Sequence, residues 1–150
     1  MTKIDDVDLR LLKELQKDGR KSFREIAEKL DVAEGTVYNR VNKLKEEGVI
    51  KNFIVDIDYS KLGYDLTTVI GVRVRGGHLP EIEEKIAKEK CVTAVYDITG
   101  EYDAIVVAKF PGRDELNKLV KKINSIDNVE RTYTMVVLNV LKEQHGVELN

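Results

Sequence analysis

The sequence predicts an α+β chain in two parts. A head of three short helices precedes a second half ordered strand-helix-strand-strand-helix-strand. Three observations carry this expectation. Apolar residues recur at spacings of three and four through the first 44 residues, then alternate singly from residue 66. Turn residues stand where the pattern breaks, at Asp18-Gly19, Gly48, Gly63, Gly76-Gly77, Gly100 and Pro111-Gly112. A hydrophobic content of 42% beside 35% charge suits a packed globular chain rather than a disordered one.

The first helix opens at Asp5, which can cap it, and buries Val7, Leu11, Leu12 and Leu15. Asp5, Asp6 and Asp8 fall in its first turn, where the helix dipole favours negative charge. They read as structural. The second helix starts at a capping box, Ser22 with Glu25, and buries Phe23, Ile26, Ala27 and Leu30. After Asp31-Val32-Ala33 a third helix carries Val37, Val41 and Leu44 inward, and Gly48 can take the left-handed conformation past its end.

Two helices around a short turn, with a third across them, make a helix-turn-helix. The third helix leaves Thr36, Tyr38, Asn39, Arg40, Asn42, Lys43 and Lys45 off its buried stripe, and residues 36–45 hold three basic residues and no acid. Such a face suits base edges and phosphates of a duplex groove; it also suits plain solvation. The partner helix tips the balance, because a helix-turn-helix presents its second helix outward. Thr36, Tyr38, Asn39 and Arg40 are then candidates for base contacts. Lys21, Ser22, Arg24, Gly35, Lys43 and Lys45 complete the expected DNA-binding set, the basic ones acting on phosphates. The formal net charge of −2 gives no global attraction to nucleic acid, so a local patch must supply it.

Val49 to Ile57 is rich in β-branched residues and reads as a strand, which makes the head winged-helix-like. The boundary is expected near residue 60, giving domains 1–60 and 61–150. Strands are then expected at Leu66–Arg75, Val92–Thr99, Tyr102–Phe110 and Val129–Leu141, with helices at Leu79–Glu89 and Arg113–Ile126. Gly100-Glu101 forms the hairpin of the middle pair, and the tail after Lys142 is loose. That order is the split βαβ, or ferredoxin-like, arrangement. Its helices cover one sheet face. The other would expose Tyr96, Ile98, Ile105, Val107, Met135, Val137 and Leu141, which predicts a twofold homodimer through that face.

One cysteine, Cys91, allows neither an intramolecular disulfide nor a cysteine-only metal cage, and His78 and His145 lack metal-ligand spacing, so no metal or other cofactor is expected. No phosphate-binding glycine loop or nucleophile-base order appears, and Glu83 and Glu84 read as solvated helix face, so no enzyme is expected. No stretch suits a membrane span and no signal-peptide pattern opens the chain, so the expected location is the cytoplasm.

Four segments in order resemble the Lrp/AsnC family, the leucine-responsive or feast/famine transcriptional regulators. They are Ile4-Asp-Asp-Val-Asp-Leu-Arg-Leu-Leu12, Asp18-Gly-Arg20 followed by Ile26-Ala27, Arg40-Val-Asn-Lys-Leu-Lys-Glu-Glu-Gly-Val-Ile50, and Gly100-Glu-Tyr-Asp103. Ala33 departs from the family, which usually places Ser there as the cap of the recognition helix. The resemblance implies dimers that assemble further, to tetramers or octamers, in response to a small amino acid held between dimers. Carried over, Gly100, Tyr102 and Asp103 would flank that effector, with the loop Gly76-Gly77-His78 and with Thr132 and Thr134. The chemistry is compatible: Asp103 can face an ammonium, while Thr99, Thr132, Thr134 and glycine amides can donate to a carboxylate. Each also has a simpler reading: Gly100 serving the turn, Tyr102 packing, the threonines filling a pleat, His78 an ordinary loop residue. The alternative to an amino-acid-modulated regulator is an architectural protein that wraps DNA and ignores metabolites.

Overall fold

The computed structural model describes residues 3–144 and 146–149, and His145 lies outside them. The chain divides into two compact units, Met1–Asp56 with Glu143–Asn150, and Ile57–Lys142.

The first unit contains α1 (Asp6–Lys17), α2 (Phe23–Leu30) and α3 (Glu34–Glu46). Asp5 and Asp8 form a capping box at α1, and Ser22 and Glu25 form one at α2. Leu11, Ile26, Ala27, Leu30, Val37, Val41 and Leu44 make the core, with Ile4, Val7, Leu12, Leu15, Phe23, Val32 and Ile50 packed on it. The tight turn before α3 is set by Asp31, which holds φ +57°, a left-handed conformation that aspartate tolerates. Gly48 closes α3 at φ +71°, and the Ile50 amide returns to the Leu44 carbonyl at 3.0 Å.

The strand expected at 49–57 does not form. Residues 51–58 are irregular, and Phe53, Ile54, Val55 and Ile57 stay exposed. β-Branched residues favour an extended backbone, but a strand needs a neighbour for its N–H and C=O groups. The tail is not loose throughout either. The Gln16 side-chain amide donates to the Val147 carbonyl at 2.7 Å and accepts from the Leu149 amide at 3.4 Å.

The second unit begins with a short 3₁₀ turn, Tyr59–Leu62. It continues through β1 (Leu66–Val74), α4 (Leu79–Ala87), β2 (Val92–Asp97), β3 (Ala104–Phe110), α5 (Arg113–Asn124) and β4 (Val129–Val136). The antiparallel sheet runs β2-β3-β1-β4, the ferredoxin-like order. Ile70, Val72, Val74, Ala104, Val106, Ala108 and Phe110 face Ile82, Ile86, Leu116, Leu119 and Ile123 of the two helices. The opposite face carries exposed Tyr96, Tyr133 and Met135. The last strand stops at Val136, short of the expected Leu141, and Leu138, Val140 and Leu141 are exposed. Glu83 is not a solvated residue. It is half-buried, one carboxylate oxygen has no hydrogen-bond partner, and burial, with nearby Asp97, raises its pKa. Among the described residues no helix is long and apolar enough to cross a membrane, and no group of three or more His, Cys, Asp and Glu side chains could hold a metal ion.

Candidate nucleic-acid interface and effector region

In the first unit the exposed side of α3 presents Tyr38, Asn39, Lys43 and Lys45, with Thr36 half-buried beside them. Tyr38 is 55% exposed and meets Phe23 edge-on at 6.3 Å between ring centroids, which steadies the ring at the surface. Among the described residues Lys43 and Lys45 form no ion pair, so their charge remains available. Gly35, in the first turn, has nothing within 4 Å of where a Cβ would stand, so the backbone there is open to close approach. The helix begins without a side-chain cap because Ala33 has no acceptor to offer.

The remaining expected DNA contacts have other attachments. The Arg40 guanidinium donates through Nη1 to both Asp5 oxygens, at 2.8 and 2.7 Å, and to Asp8 Oδ1 at 2.7 Å. The Asp8 side chain is 2% exposed and that of Arg40 27%, so Arg40 ties α3 to the start of α1. The Asp5 carboxyl is held below its ordinary pKa by the Asp8 backbone amide and then by Arg40. Lys21 Nζ sits 2.6 Å from Glu14 Oε2, and Lys29 joins the same carboxylate at 2.8 Å. Those two ammonium groups pull the Glu14 pKa down to about 2 and tie α2 and the turn before it to α1. Ser22 spends its hydroxyl on the capping box, at 2.6 Å from Glu25 Oε2. Arg24 stays at the surface, paired one turn along with Glu28 at 3.2 Å.

In the second unit the β2–β3 connection spans residues 98–103, longer than the two-residue hairpin expected. Asp103 is the reason. Its amide donates to the Val72 carbonyl at 3.0 Å, its Oδ2 accepts from the Val74 amide at 2.7 Å, and its carbonyl accepts from the Ile98 amide at 3.0 Å. The carboxylate therefore satisfies β1 where the β1–β4 register shifts, between Arg73 and Val74. Its Oδ1 has no hydrogen-bond partner among the described residues. Tyr102 lies flat against Gly71: a Cβ there would sit 2.8 Å from the ring, so the absent side chain makes the space. Tyr133 stacks on Tyr102 at 6.1 Å, and the Arg131 guanidinium lies 6.0 Å from the Tyr102 ring centre. Arg131 also pairs with Glu101 at 2.9 Å, and Arg73 donates to the Glu101 carbonyl at 2.5 Å.

Gly76 and Gly77 leave the pinned end of β1 in an exposed turn, with Gly77 at φ +89°, and His78 precedes α4. Thr99 and Gly100 are exposed at the hairpin, Gly100 at φ +128°. These residues share one end of the sheet with Asp103. Thr132 and Thr134 are placed differently. They pair with Val72 and Ile70, hence on the helix-covered face, and the Thr132 hydroxyl donates to Asn124 Oδ1 at 3.2 Å. Tyr102 lies on the opposite face with Tyr133. A single protomer thus does not gather all the expected effector residues into one site. Arg73, Arg131 and Tyr133 were missed by sequence reasoning. Alternation alone would have put them beside Tyr102 had the β1–β4 register been known.

A trihelical unit with an open basic recognition helix, in one chain with a ferredoxin-like unit, defines a helix-turn-helix transcriptional regulator with a ligand-binding domain. Residues 4–51 match the winged helix-turn-helix DNA-binding family, and residues 67–147 match the Lrp/AsnC ligand binding domain. The chain belongs to the Lrp/AsnC family of transcriptional regulators, which are not enzymes. The HTH-type transcriptional regulator PF1734 of Pyrococcus furiosus is 52% identical over 97% of this chain and 98% of its own. E. coli AsnC has the same fold, with a TM-score of 0.89 and 28% identity across 98% of this chain and 99% of that one. The Neisseria meningitidis regulator NMB0573, solved as a complex with L-Met, shares the fold at a TM-score of 0.88 and 21% identity, covering 99% and 98% of the two chains.

Proposed function

We propose that this protein binds specific duplex sites in the cytoplasm through α3 and that a small amino acid modulates its assembly or its DNA affinity. The observation that carries the reading is the stretch of α3 from Thr36 to Lys45, which holds no acid and where Tyr38, Asn39, Lys43 and Lys45 are exposed and both lysines lack ion pairs among the described residues. Thr36, Tyr38 and Asn39 reach base edges; Lys43, Lys45 and Arg24 meet phosphates, Arg24 after leaving Glu28; Gly35 lets the backbone approach the strand. Arg40, Lys21 and Ser22 act indirectly, by fixing α3 and α2 against α1. Two heads, spaced about 34 Å apart by a homodimer, read successive major grooves. The uncovered apolar sheet face with Tyr96, Tyr133 and Met135 supports that self-association and leaves room for larger assemblies.

The effector site lies at the sheet end where Asp103, Thr99, Gly100 and the Gly76-Gly77-His78 turn meet, with Asp103 Oδ1 facing the ammonium. Tyr102 shapes that end from the open face. Thr132 and Thr134, on the other face, join only if a neighbouring copy supplies them. The amino-acid complex of a protein with this fold supports the ligand class. Titrating each of the twenty amino acids against promoter affinity and particle size tests the reading. One or a few should shift both readouts, and Asp103→Ala should abolish the response while the dimer persists. Tight promoter binding that no amino acid alters would favour an architectural DNA-wrapping role instead.

A further inference from the structure

We propose that Asn39 is the main specificity-determining residue of α3 and that it selects adenine in each half-site. The inference rests on the reading that α3 enters the major groove, and it adds which base is chosen and by which group.

Neighbouring contacts settle which way Asn39 faces. Tyr38 leans towards α2, where its ring meets Phe23. Arg40 leans towards α1, where its guanidinium meets Asp5 and Asp8. Val37, Val41 and Leu44 are buried in the core. Residues four apart share one side of a helix. Gly35, Asn39 and Lys43 therefore form the line left facing outward, and all three are exposed. Asn42 lies one turn beyond Tyr38 on the α2 flank and is half-buried. Gly35 has nothing within 4 Å of where a Cβ would stand, so no side chain one turn earlier holds the helix off a groove floor. A recognition helix meets base edges with its N-terminal residues. That gives the base-reading position to Asn39 and leaves the phosphates to Lys43, one turn further on.

The hydrogen-bonding groups still free on α3 choose the base. Arginine or lysine bidentate to guanine O6 and N7 is the commonest specific contact. Arg40 is the only arginine of α3, and its Nη1 is committed to Asp5 and Asp8. Leaving them would strand the Asp8 carboxylate, whose side chain is 2% exposed. The Asn39 side-chain amide, by contrast, has no hydrogen-bond partner among the described residues. It presents a donor and an acceptor side by side, the complement of adenine N7 and N6–H₂. Guanine offers N7 and O6, both acceptors, and would leave the amide oxygen facing a second acceptor.

The test is selection by the full chain from a duplex library randomised across its central base pairs, followed by affinity measurements on an enriched duplex. The parent should enrich adenine at one position of each half-site. Asn39 is exposed and alanine favours a helix, so Asn39→Ala should keep its circular dichroism. Its adenine preference at that position should fall about 5- to 150-fold, the worth of one bidentate pair. Replacing that adenine with 7-deazaadenine removes the N7 acceptor. The parent should then bind more weakly and Asn39→Ala should not change, a pairing that a merely structural asparagine would not produce. Arg40→Ala should bind more weakly with the same preference. Three results would overturn the inference: the parent's preference kept at every position by Asn39→Ala, a guanine preference lost in Arg40→Ala, or 7-deazaadenine weakening parent and Asn39→Ala alike. If Lys43→Ala/Lys45→Ala still weakens binding to every duplex in those cases, α3 remains the docking surface and only the base assignment falls. A parent that enriches no sequence would overturn the assignment and the site-specific reading together.

Discussion

Asp8→Ala tests whether Arg40 is a strut between helices. Arg40 Nη1 makes three hydrogen bonds of 2.7–2.8 Å to Asp5 and Asp8. A hydrogen bond to a charged group contributes about 1.5–3 kcal/mol, and removing one partner of a fully buried ion pair costs about 3–5 kcal/mol. Here the pair is asymmetric. Asp8 is sealed at 2% side-chain exposure, whereas Arg40 keeps 27% and retains Asp5 when Asp8 is gone. Asp8→Ala should therefore fall near the lower bound, about 2 kcal/mol. Arg40→Ala strands a buried carboxylate and should cost about 3 kcal/mol. The double variant should cost clearly less than the sum, with a coupling of about 2 kcal/mol. Urea unfolding followed by circular dichroism gives the energies, and amide exchange of α1 and α3 assigns them to the first unit, since two units need not unfold together. Additive costs, with coupling below about 0.5 kcal/mol, would refute the strut. DNA binding supplies a second readout. Asp8 is too buried to reach a duplex, so an indirect role predicts that Asp8→Ala and Arg40→Ala weaken operator binding alike and leave base preference intact. A change of preference in Arg40→Ala alone would make Arg40 a base reader.

Glu14 should make the first unit acid-sensitive. Its folded pKa of about 2 lies below the ordinary 4.5, so its contribution is full above about pH 5 and is lost as pH falls from 4.5 towards 2. Glu14→Gln should flatten that stretch of the stability–pH curve; an unchanged slope would show that Lys21 and Lys29 do not stabilise the folded carboxylate. Gly71→Ala would drive a methyl to within 2.8–2.9 Å of the Tyr102 ring. Overpacking of this kind costs about 1–3 kcal/mol, read as a lower urea midpoint, and Tyr102→Ala in the same chain should recover most of it. Equal destabilisation with and without Tyr102 would mean the ring does not occupy that space.

Local signals in the sequence reached far. The capping box at Ser22 and Glu25 needs residues three apart, and the helical stripes and the alternation along residues 66–74 need little more. Pairings between distant segments were out of reach. Arg40 and Asp8 stand 32 residues apart, so an arginine on a recognition helix looked like a base reader until α1 was placed beside it. Asp103 looked free for an ammonium, but one of its oxygens closes a register shift that no residue pattern announces. Thr132 and Thr134 lie one strand away from the residues expected beside them, and the β1–β4 register alone decides that they face the helices. The β-branched run at 49–57 shows the converse: local preference favours extension, but no paired neighbour is supplied. Glu83 looked solvated because a helical wheel does not record how close β2 and its Asp97 come.

The salt dependence of promoter binding bears most directly on the central claim that α3 is the DNA-docking surface. Deleting one phosphate-bound charge should flatten the slope of log affinity against log salt by about 0.9. The full-length double variant Lys43→Ala/Lys45→Ala should therefore bind a promoter duplex more weakly at low salt, with a slope shallower by nearly two, for every sequence tried. A slope and affinity equal to the parent's would mean that the duplex docks elsewhere on the protein.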